Sequence, residues 1–422
     1  MRFTSILAAV LVCGANPALA DTTVIHAGSV IRDTDAQPSG PATIVVTDGR
    51  ITAIVDGHVL IDGSDRTIDL TGKTVLPGMI DLHVHLTGDP GGDFWKNAVE
   101  PDEWGVVLGA KNARLTALAG FTTVREAGSA QHTAYSLRRA TAEGLLAGPR
   151  IIAAGVPLAI VGGHGDVSGF RPEVNALLDA GYNCTGPVEC AAKVRLASQN
   201  GADVIKITAT GGVLSQQGRG LEAHFTLEEM KSIADTAHSL GLKVMAHAHG
   251  ARGIEMAARA GIDSIEHGTY IDDAAIKAMR ENGTVLVPTL MAFQGISERL
   301  DKGIYTPVVE DKVRAVAELA RVFMGKARRA GVTIAFGTDS GVYEHGRNAQ
   351  EFALMLGQGM SNREALAAAT TVAAQVLGLE SEIGRLAPGY SADIIAVDGN
   401  PLGDATVLEK VDWVMVRGRV IE

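Results

Sequence analysis

The sequence predicts an α/β protein in which a (β/α)8 TIM barrel is joined to a small β-sandwich domain that both chain ends build. Between residues 75 and 339, eight β-rich runs alternate with helical stretches. Short alternating strands fill residues 23–74, and the same pattern returns after residue 393. With 422 residues, 46% of them hydrophobic, the chain is long enough to bury one large core and one small one.

The small domain is expected at residues 21–75 and 380–422, where Gly and Asp separate short runs of alternating apolar residues. The predicted strands are residues 24–27, 42–46, 51–55, 66–69, 393–398 and 413–421. Because both ends carry the same pattern, we expect them to pair with each other.

The barrel is expected at residues 76–379. Its β-rich runs end in polar residues and precede stretches rich in Ala, Leu, Glu and Lys, such as residues 226–240 and 311–330. The eight runs are residues 76–85, 120–125, 149–154, 202–208, 242–247, 262–267, 284–289 and 332–338. In such barrels the catalytic groups lie at the C-terminal ends of the strands, so functional residues are expected there.

Residues 1–20 have the order of a secretory signal: a basic Arg2, an apolar run at residues 6–12 and small residues before Asp21, where the mature chain would begin. Cys13 offers an alternative as a lipoprotein acceptor, but the bulky valine before it favours simple cleavage. The sequence therefore predicts a periplasmic or secreted protein.

The charge and hydropathy of the mature chain argue against nucleic-acid and membrane partners. Without Arg2 the 37 basic residues become 36, and the balance against 48 acidic residues is 36 − 48 = −12. No later stretch reaches the ~18 consecutive apolar residues of a membrane helix. We expect a small-molecule partner.

Cys184 and Cys190 are the cysteines of the mature chain. We predict that they form a disulfide, because an exported protein meets an oxidising compartment and the interval between them is rich in turn residues. The alternative is two unpaired small apolar side chains.

Two histidines end the first β-rich run of the barrel. His83 and His85 are two positions apart, so a strand places both side chains on one face. Lys206 lies between β-branched apolar residues in the fourth run, where an unpaired ammonium group would lose much hydration energy. Taken singly, these residues also fit hydrogen-bonded imidazoles and a lysine paired with a carboxylate.

Three further strand ends carry residues of the kinds that bind metals. His247 closes the fifth run, His267 closes the sixth, and Asp339 follows the eighth. Asp339 alone also fits the N-cap of a helix. Together, five strand ends supply four imidazoles, a lysine and a carboxylate to one rim, which predicts a metal site.

The order of these six residues resembles the binuclear branch of the amidohydrolase superfamily. The resemblance extends to residues 76–85, 120–124, 337–340 and 384–393 and covers nearly all of the mature chain. Within the superfamily the chain is similar to imidazolonepropionase-like enzymes. These include Xaa-Pro dipeptidases, carboxypeptidases acting on dipeptides or N-acyl amino acids, and amidohydrolases that degrade ochratoxin A.

By position, the resemblance implies two metal ions that share a bridging ligand, Lys206, which takes up carbon dioxide to become a carbamate. The other ligands fall into two sets: His83, His85 and Asp339 for the first ion, and His247 and His267 for the second. Imidazole and carboxylate ligands suit two Zn2+ ions, and manganese or cobalt also fits these ligand types.

The reaction implied by the resemblance is hydrolysis of an amide or peptide bond by metal-bridging hydroxide, with Asp339 moving the proton to the leaving nitrogen. One alternative is a cyclic-amide hydrolase or deaminase of the imidazolonepropionase type, usually with one metal ion, which has no use for Lys206 as a bridge. Another is a non-catalytic scaffold, but such relatives typically lack several of these ligands. Because the relatives are commonly homo-oligomers, we expect one here.

Substrate contacts are expected from loops above the same rim. The resemblance assigns His164, after the third run, and Tyr270, after the sixth, to the carboxylate of the substrate; Arg125 and His249 are further candidates. Each has an alternative explanation, such as a loop histidine, a rim tyrosine or an arginine paired with a carboxylate. His345 fits a solvated loop better than a lid.

Overall fold

A computed structural model describes residues 21–91, 94–130, 132–167, 169–216 and 220–422. The secretory signal predicted at residues 1–20 lies outside this part of the chain. No helix within the described ranges is both long and apolar enough to cross a membrane.

The described residues form sixteen strands and thirteen α-helices. The strands are β1 (Thr22–Val30), β2 (Ala42–Thr47), β3 (Arg50–Asp56), β4 (Arg66–Pro77), β5 (Met79–Val84), β6 (Phe121–Glu126), β7 (Arg150–Ala153), β8 (Ala159–Ile160), β9 (Asn183–Cys184), β10 (Val204–Thr208), β11 (Lys243–Ala248), β12 (Ser264–His267), β13 (Val285–Val287), β14 (Ile394–Val397), β15 (Val411–Val416) and β16 (Arg419–Val420). The helices are α1 (Asp102–Leu118), α2 (Thr133–Glu143), α3 (Pro172–Leu178), α4 (Pro187–Gln199), α5 (Leu227–Ser239), α6 (Ala251–Arg259), α7 (Asp273–Asn282), α8 (Leu290–Ser297), α9 (Pro307–Ala317), α10 (Phe323–Arg329), α11 (Gln350–Gly357), α12 (Asn362–Ala368) and α13 (Thr371–Leu377). Short 3-10 helices occupy Phe94–Ala98, Leu319–Arg321 and Ala405–Glu409.

Two parallel sheets form most of the barrel wall. β5, β6 and β7 make a three-stranded sheet, and β10 to β13 make a four-stranded one. A parallel bridge pairs Leu158, which follows β7 in the chain, with Ile207 of β10, and Asp203 N donates to the carbonyl oxygen of Ala153, the last residue of β7. The fourth barrel strand therefore follows the third without a gap.

The eighth predicted strand, residues 332–338, forms isolated bridges rather than a regular strand. Its backbone is nevertheless hydrogen-bonded to the neighbouring barrel segments on both sides. Ala335 N donates to Leu286 O (2.9 Å), and Phe336 O accepts from Leu82 N (3.0 Å). The segment thus occupies the eighth position between β13 and β5, and the predicted (β/α)8 barrel is confirmed.

Helix ends in the barrel follow local backbone chemistry. α5 begins after Thr226, which exchanges hydrogen bonds with Glu229 in a capping box. The single helix predicted at residues 311–330 is instead divided into α9, a 3-10 turn and α10. The division falls at Val322, whose φ of −137° is outside the helical region.

Both chain ends build one seven-stranded sheet, in the order β16-β15-β14-β4-β1-β2-β3. β4 pairs in parallel with β1 and antiparallel with β14, so it connects the two ends. The buried core of this domain includes Ile25, Ile44, Ile394 and Met415. The predicted pairing of the ends is present, and its hydrogen bonds run without a break from β16 to β3.

Gly78 alone separates β4 from β5, so the small domain passes directly into the first barrel strand. A Cβ atom at this position would collide with the side chain of Thr122. Glycine is therefore required for the close approach of the two chain segments.

Cys184 and Cys190 form a disulfide, as predicted, with Cα atoms 5.0 Å apart. Both residues are buried. The bridge joins β9 to the start of α4, beside the loop that follows the third barrel strand.

Candidate metal centre

The six predicted ligands lie at the C-terminal ends of the barrel strands and line one cavity of about 730 Å3. The ligands on strands are His83 (β5), Lys206 (β10), His247 (β11) and His267 (β12), and those just beyond a strand position are His85 and Asp339. The structure therefore brings all six together, although more than 250 residues separate the first from the last.

His83, His85 and Asp339 form the first ligand group. Asp339 Oδ1 lies 3.5 Å from His83 Nε2 and 3.3 Å from His85 Nε2. His83 Nδ1 lies 2.9 Å from a Glu266 carboxylate oxygen, and His85 Nδ1 lies 2.8 Å from the Gly128 carbonyl oxygen. Because these oxygens accept hydrogen bonds, both Nδ1 atoms carry the proton, and both Nε2 lone pairs face Asp339.

His247, His249 and His267 form the second group, whose ring nitrogens lie within 4.8 Å of one another. His247 Nε2 donates to the Gly211 carbonyl oxygen (3.1 Å), which leaves Nδ1 as the ligand atom. His267 Nδ1 lies 2.7 Å from Thr289 Oγ1, which leaves Nε2 available for a metal.

His249 is the member of the second group that the sequence did not predict as a metal ligand. Its ring is stacked on that of His267, with centroids 4.9 Å apart, and its Nδ1 lies 2.7 Å from Thr269 Oγ1. It lines the cavity, which agrees with the expectation that it faces the site. Its contact with a substrate stays a prediction.

Lys206 lies beside both groups and is 4% exposed. Its Nζ is 3.4 Å from His83 Nε2, and its charge also acts on His267. Burial lowers the pKa of Lys206 to about 8, against the raising effect of Glu266 and Asp339. Part of the amine is therefore neutral near neutral pH, and the neutral amine is the form that reacts with carbon dioxide.

Burial acts strongly on the protonation of four of the other ligands, His83, His247, His267 and Asp339. It lowers the pKa values of His83, His247 and His267 well below 6.5, so these rings are neutral. Burial also raises the pKa of Asp339, but the neighbouring His83 and His85 outweigh it and leave that pKa below 3.8. Neutral imidazoles and an ionised carboxylate are the forms that bind divalent cations.

Three residues of the site have left-handed backbone conformations. The φ angles are +73° at His267, +60° at Asp339 and +49° at Thr289. These angles cost non-glycine residues free energy and persist where surrounding contacts impose them, often at functional sites. Here they occur at the turns that follow the sixth, seventh and eighth barrel positions.

The donor set fits two divalent cations. Asp339 Oδ1 is buried without a hydrogen-bond partner among the described residues, although two imidazole nitrogens lie within 3.5 Å of it. A cation between a carboxylate oxygen and imidazole lone pairs stabilises this arrangement. Imidazole and carboxylate donors suit zinc and related divalent ions.

Arg125, predicted as a substrate contact, lies beneath the site instead. It is buried, and its nitrogens donate to Leu82 O (2.7 Å), Ser264 Oγ (3.1 Å) and Glu266 Oε1 (2.9 Å). All three guanidinium nitrogens of Arg125 are therefore bonded within the barrel. The prediction that Arg125 contacts the substrate is wrong. Arg125 supports Glu266, which in turn holds His83.

His164 lines the cavity, and its contact with a substrate stays a prediction. Its ring centroid is 4.3 Å from that of His247, and its Nδ1 lies 2.6 Å from Ser215 Oγ. Lys312 of α9 donates to the carbonyl oxygens of Gly212 (2.8 Å) and Ser215 (2.5 Å) and so holds the loop that contacts His164. Sequence reasoning missed Lys312, because no motif connects α9 with this loop.

Tyr270 is not brought into the lining of the cavity. It lies half-buried at the rim, where its amide nitrogen donates to the His249 carbonyl oxygen (3.0 Å). Burial, with a smaller effect from Glu222, raises the pKa of its phenol. Its predicted contact with the substrate carboxylate therefore has no support from this geometry.

His345 is buried rather than solvated, which corrects the expectation for its loop. Its Nε2 donates to the His85 carbonyl oxygen (3.2 Å), and its Nδ1 lies 3.2 Å from the hydroxyl oxygens of Ser340 and Thr116. His345 thus supports the backbone of a ligand.

Asp81 and Glu266 are two buried carboxylates that sequence reasoning missed. Asp81 Oδ1 accepts from the amides of His83 and Thr338, and its Oδ2 accepts from Thr338 Oγ1 (2.6 Å) and Asn348 Nδ2 (2.8 Å). These bonds connect β5 with the segment that carries Asp339. A usable signal was present, because an acidic residue inside an otherwise apolar barrel strand needs a buried partner.

Known proteins share this architecture. The amidohydrolase family model matches residues 74–421. Ochratoxinase of Aspergillus niger is 32% identical over 418 residues, covering 93% of this chain and 84% of that protein. A crystal structure of a Xaa-Pro dipeptidase with methionine bound in its active site is 39% identical, with a TM-score of 0.88, and the match covers 95% of this chain and 100% of that one. A prolidase complexed with N-methylphosphonate-L-proline is 32% identical, with a TM-score of 0.86 and coverage of 95% and 99%. The match over most of the sequence, the barrel and the ligands at its rim agree: this chain belongs to the amidohydrolase family.

Proposed function

We propose that the protein hydrolyses the amide bond of a dipeptide or an N-acyl amino acid with the help of two divalent cations, zinc by preference, which the two ligand groups and a carboxylated Lys206 would hold. The observation that carries this proposal is the convergence of two ligand groups beside Lys206 at the floor of one cavity. The activities named for the similar proteins, a dipeptidase, a prolidase and an ochratoxinase, support an amide substrate.

Asp339 is the residue that moves the proton. Two divalent cations, when bound, supply the Lewis acidity that lets water ionise near neutral pH and that polarises a scissile carbonyl. Asp339 is ionised beside His83 and His85, so it accepts the proton that the attacking water releases. The same carboxyl then delivers this proton to the amide nitrogen, because an amine leaves readily only after protonation.

His164 is the residue we assign to the substrate carboxylate. It lines the cavity next to His247 and is held there by Ser215. Because burial lowers the pKa of His164 to about 3, its ring acts as a neutral hydrogen-bonding group. Ser215 fixes the ring orientation, so the second ring nitrogen is available for a ligand.

The position of Lys206 also favours this reaction over a deaminase or cyclic-amide hydrolase with a single metal ion. A lysine buried beside both ligand groups has no evident task next to one ion. As a carbamate it would offer two anionic oxygen ligands, whose negative charge bound cations would compensate inside the protein.

Metal content and activity together test the proposal. We expect Asp339→Asn to keep two metal ions per chain and lose most turnover, and Lys206→Ala to lose metal as well. Elemental analysis of folded protein is paired with a hydrolysis screen of Xaa-Pro and basic dipeptides, N-acyl amino acids and ochratoxin A. Lys231→Ala, on the exposed face of α5, is the control. Full activity in metal-replete Asp339→Asn, or two bound ions in Lys206→Ala, contradicts the proposal.

We further propose that the protein is exported. The order of residues 1–20 supports a cleaved signal, and the disulfide between Cys184 and Cys190 suits an oxidising compartment. Intact mass of the recovered protein should correspond to a chain that begins at Asp21. After denaturation, an alkylating reagent should add mass only if a reductant is present. A protein that retains Met1 and is alkylated without a reductant would contradict the proposal.

A further inference from the structure

The cavity above the ligands has one wall made of apolar side chains. We define this apolar wall as Trp104 and Leu108 of α1, Phe293 and Ile296 of α8, and Val342. These residues follow the first, seventh and eighth barrel positions, which are neighbours in a closed barrel. These five apolar residues therefore line the cavity from neighbouring positions of the barrel rim.

The other side of the cavity is mixed in character. The loops after the third and fourth barrel strands carry His164, Asp166, Ser215 and Gln216, together with apolar residues such as Phe170. Charged side chains near the apolar wall, among them Lys96, stand at its exposed outer edge. The two sides thus offer different chemistry to the two halves of an amide substrate.

The apolar wall reaches from the ligand groups to the mouth. The ring of Phe293 lies 6.2 Å from that of His249 and 6.5 Å from that of His267, measured between centroids. Phe323 packs against its other side at 6.0 Å. Phe293 is therefore the member of the apolar wall that lies beside the ligand groups.

Trp104, at the outer end of the wall, is 46% exposed although it is large and apolar. Covering an indole with an apolar ligand removes a large area from water and adds favourable ring contacts. Trp95 is a natural comparison: it lies close by in the sequence and is 49% exposed, but it does not line the cavity. The two tryptophans are almost equally exposed, and they differ in that Trp104 lines the cavity and Trp95 does not.

We infer that the apolar wall binds the acyl-side group of the substrate and selects a large apolar group there, an aromatic one above all. The inference rests on the proposed function, which places the substrate carboxylate at His164, in the loop after the third barrel strand. A cavity of about 730 Å3 is within the range that holds drug-sized ligands, so it has room for a ring beyond the dipeptide backbone.

Two substrate pairs that differ only in the acyl group test this selectivity. They are Phe-Pro against Gly-Pro, and N-benzoyl-L-phenylalanine against N-acetyl-L-phenylalanine. We expect the wild-type enzyme to prefer the aromatic member, measured as kcat/KM, in each pair that it hydrolyses. Trp104→Ala should reduce this preference about tenfold, chiefly through KM for the aromatic substrate. Leu108→Ala should reduce it in the same direction, and Trp95→Ala should leave it unchanged.

Three results overturn the inference: no aromatic preference in the wild-type enzyme, an equal loss for both members of a pair in Trp104→Ala and Leu108→Ala, or the same loss of preference in Trp95→Ala. Size-exclusion chromatography of the variants is included, because a tryptophan that serves only contact between chains would change assembly and leave the preference intact; that result also overturns the inference. If the metal-loaded wild-type enzyme hydrolyses no member of either pair or of the wider screen, the proposed function fails instead.

Discussion

The Glu266 carboxylate lies below His83 and uses both of its oxygens. One oxygen accepts from His83 Nδ1 (2.9 Å), and the other accepts from Arg125 (2.9 Å) and Ser264 (2.6 Å). Such a partner keeps the proton on Nδ1 and orients the ring, so that Nε2 points at the metal position. Glu266, which cannot touch a substrate, thus controls the metal ligand His83.

We expect Glu266→Gln to lower the metal affinity of the folded protein about 10–100-fold. The reason is geometric, because the amide NH2 must face either His83 N–H or Arg125, and both are donors. Competition with a chelator measures the affinity. Glu255→Gln, which alters a surface pair with Arg259 on α6, is the control and should bind metal normally. An unchanged affinity in Glu266→Gln would show that Glu266 does not position His83.

The ligands could be predicted from the sequence because they depend on local properties. The alternation of a strand places His83 and His85 on one face, and a strand end marks Lys206. The contact between Glu266 and His83 spans 183 residues, and no pattern in either strand names the partner. Arg125 was misjudged for the same reason, since its partner comes from another strand across the closed barrel.

At the scale of elements, α8 depends on a carboxylate from α11. Glu351 is buried and accepts the amide N–H groups of Leu290 (2.9 Å) and Met291 (2.6 Å), which have no partner within their own helix. The residue before them, Thr289, contacts His267. The start of α8 is therefore part of the support of the second ligand group.

Burial raises the pKa of Glu351 from 4.5 to about 8, which predicts a pH dependence of stability. In this interval the unfolded chain loses the proton and the folded protein keeps it, so this contribution to stability is full below pH 4.5 and is lost as the pH rises toward 8. The slope is at most about 1.4 kcal/mol per pH unit. Urea unfolding at several pH values in this range measures how the free energy of unfolding depends on pH. The plot of this free energy against pH should be flatter for Glu351→Gln than for the wild type. Parallel curves would contradict the prediction.

The positions of the strands and helices could be predicted more fully than whether each one is regular and unbroken. The apolar run at residues 332–338 placed the eighth barrel segment correctly, but regular pairing also depends on how β13 and β5 approach it. The apolar periodicity of residues 311–330 continues through the turn at Leu319–Arg321, so it did not reveal the break between α9 and α10. Periodicity reports which face is buried, not where the backbone bends.

At the scale of the whole molecule, Asp393 joins the small sheet to the barrel. Its side chain is bonded to Arg150 at the start of β7 (3.1 Å) and accepts from the amide of Arg417 (2.8 Å). Asp393 is 4% exposed. The contact lies at the opposite ends of the barrel strands from the metal ligands.

We expect Asp393→Ala to lower the free energy of unfolding by about 3 kcal/mol, because it leaves a largely buried guanidinium without its carboxylate partner. Metal content of the folded protein should not change. Asp398→Ala is the matched control: Asp398 is exposed, and its partner Lys73 keeps a second carboxylate, Asp412. Thermal or urea unfolding compares them, and equal effects of the two substitutions would refute a special role for Asp393.

The architecture could be predicted because strands and helices alternate through the barrel sequence, and because both chain ends have the same pattern of short runs of alternating apolar residues. The order of strands in the small sheet could not be predicted in this way. It depends on which edge of β4 receives each partner, and the two partners come from opposite ends of the sequence.

The place of β4 between β1 and β14 has a consequence for biosynthesis. β1 is made before β4, but Ile394, the first residue of β14, follows Pro77 by 394 − 77 = 317 positions. Until that late segment has been made and exported, one edge of β4 presents unsatisfied backbone groups to other unfolded chains. A chaperone that covers this edge before then would therefore protect the very strand whose continuation delivers His83 and His85.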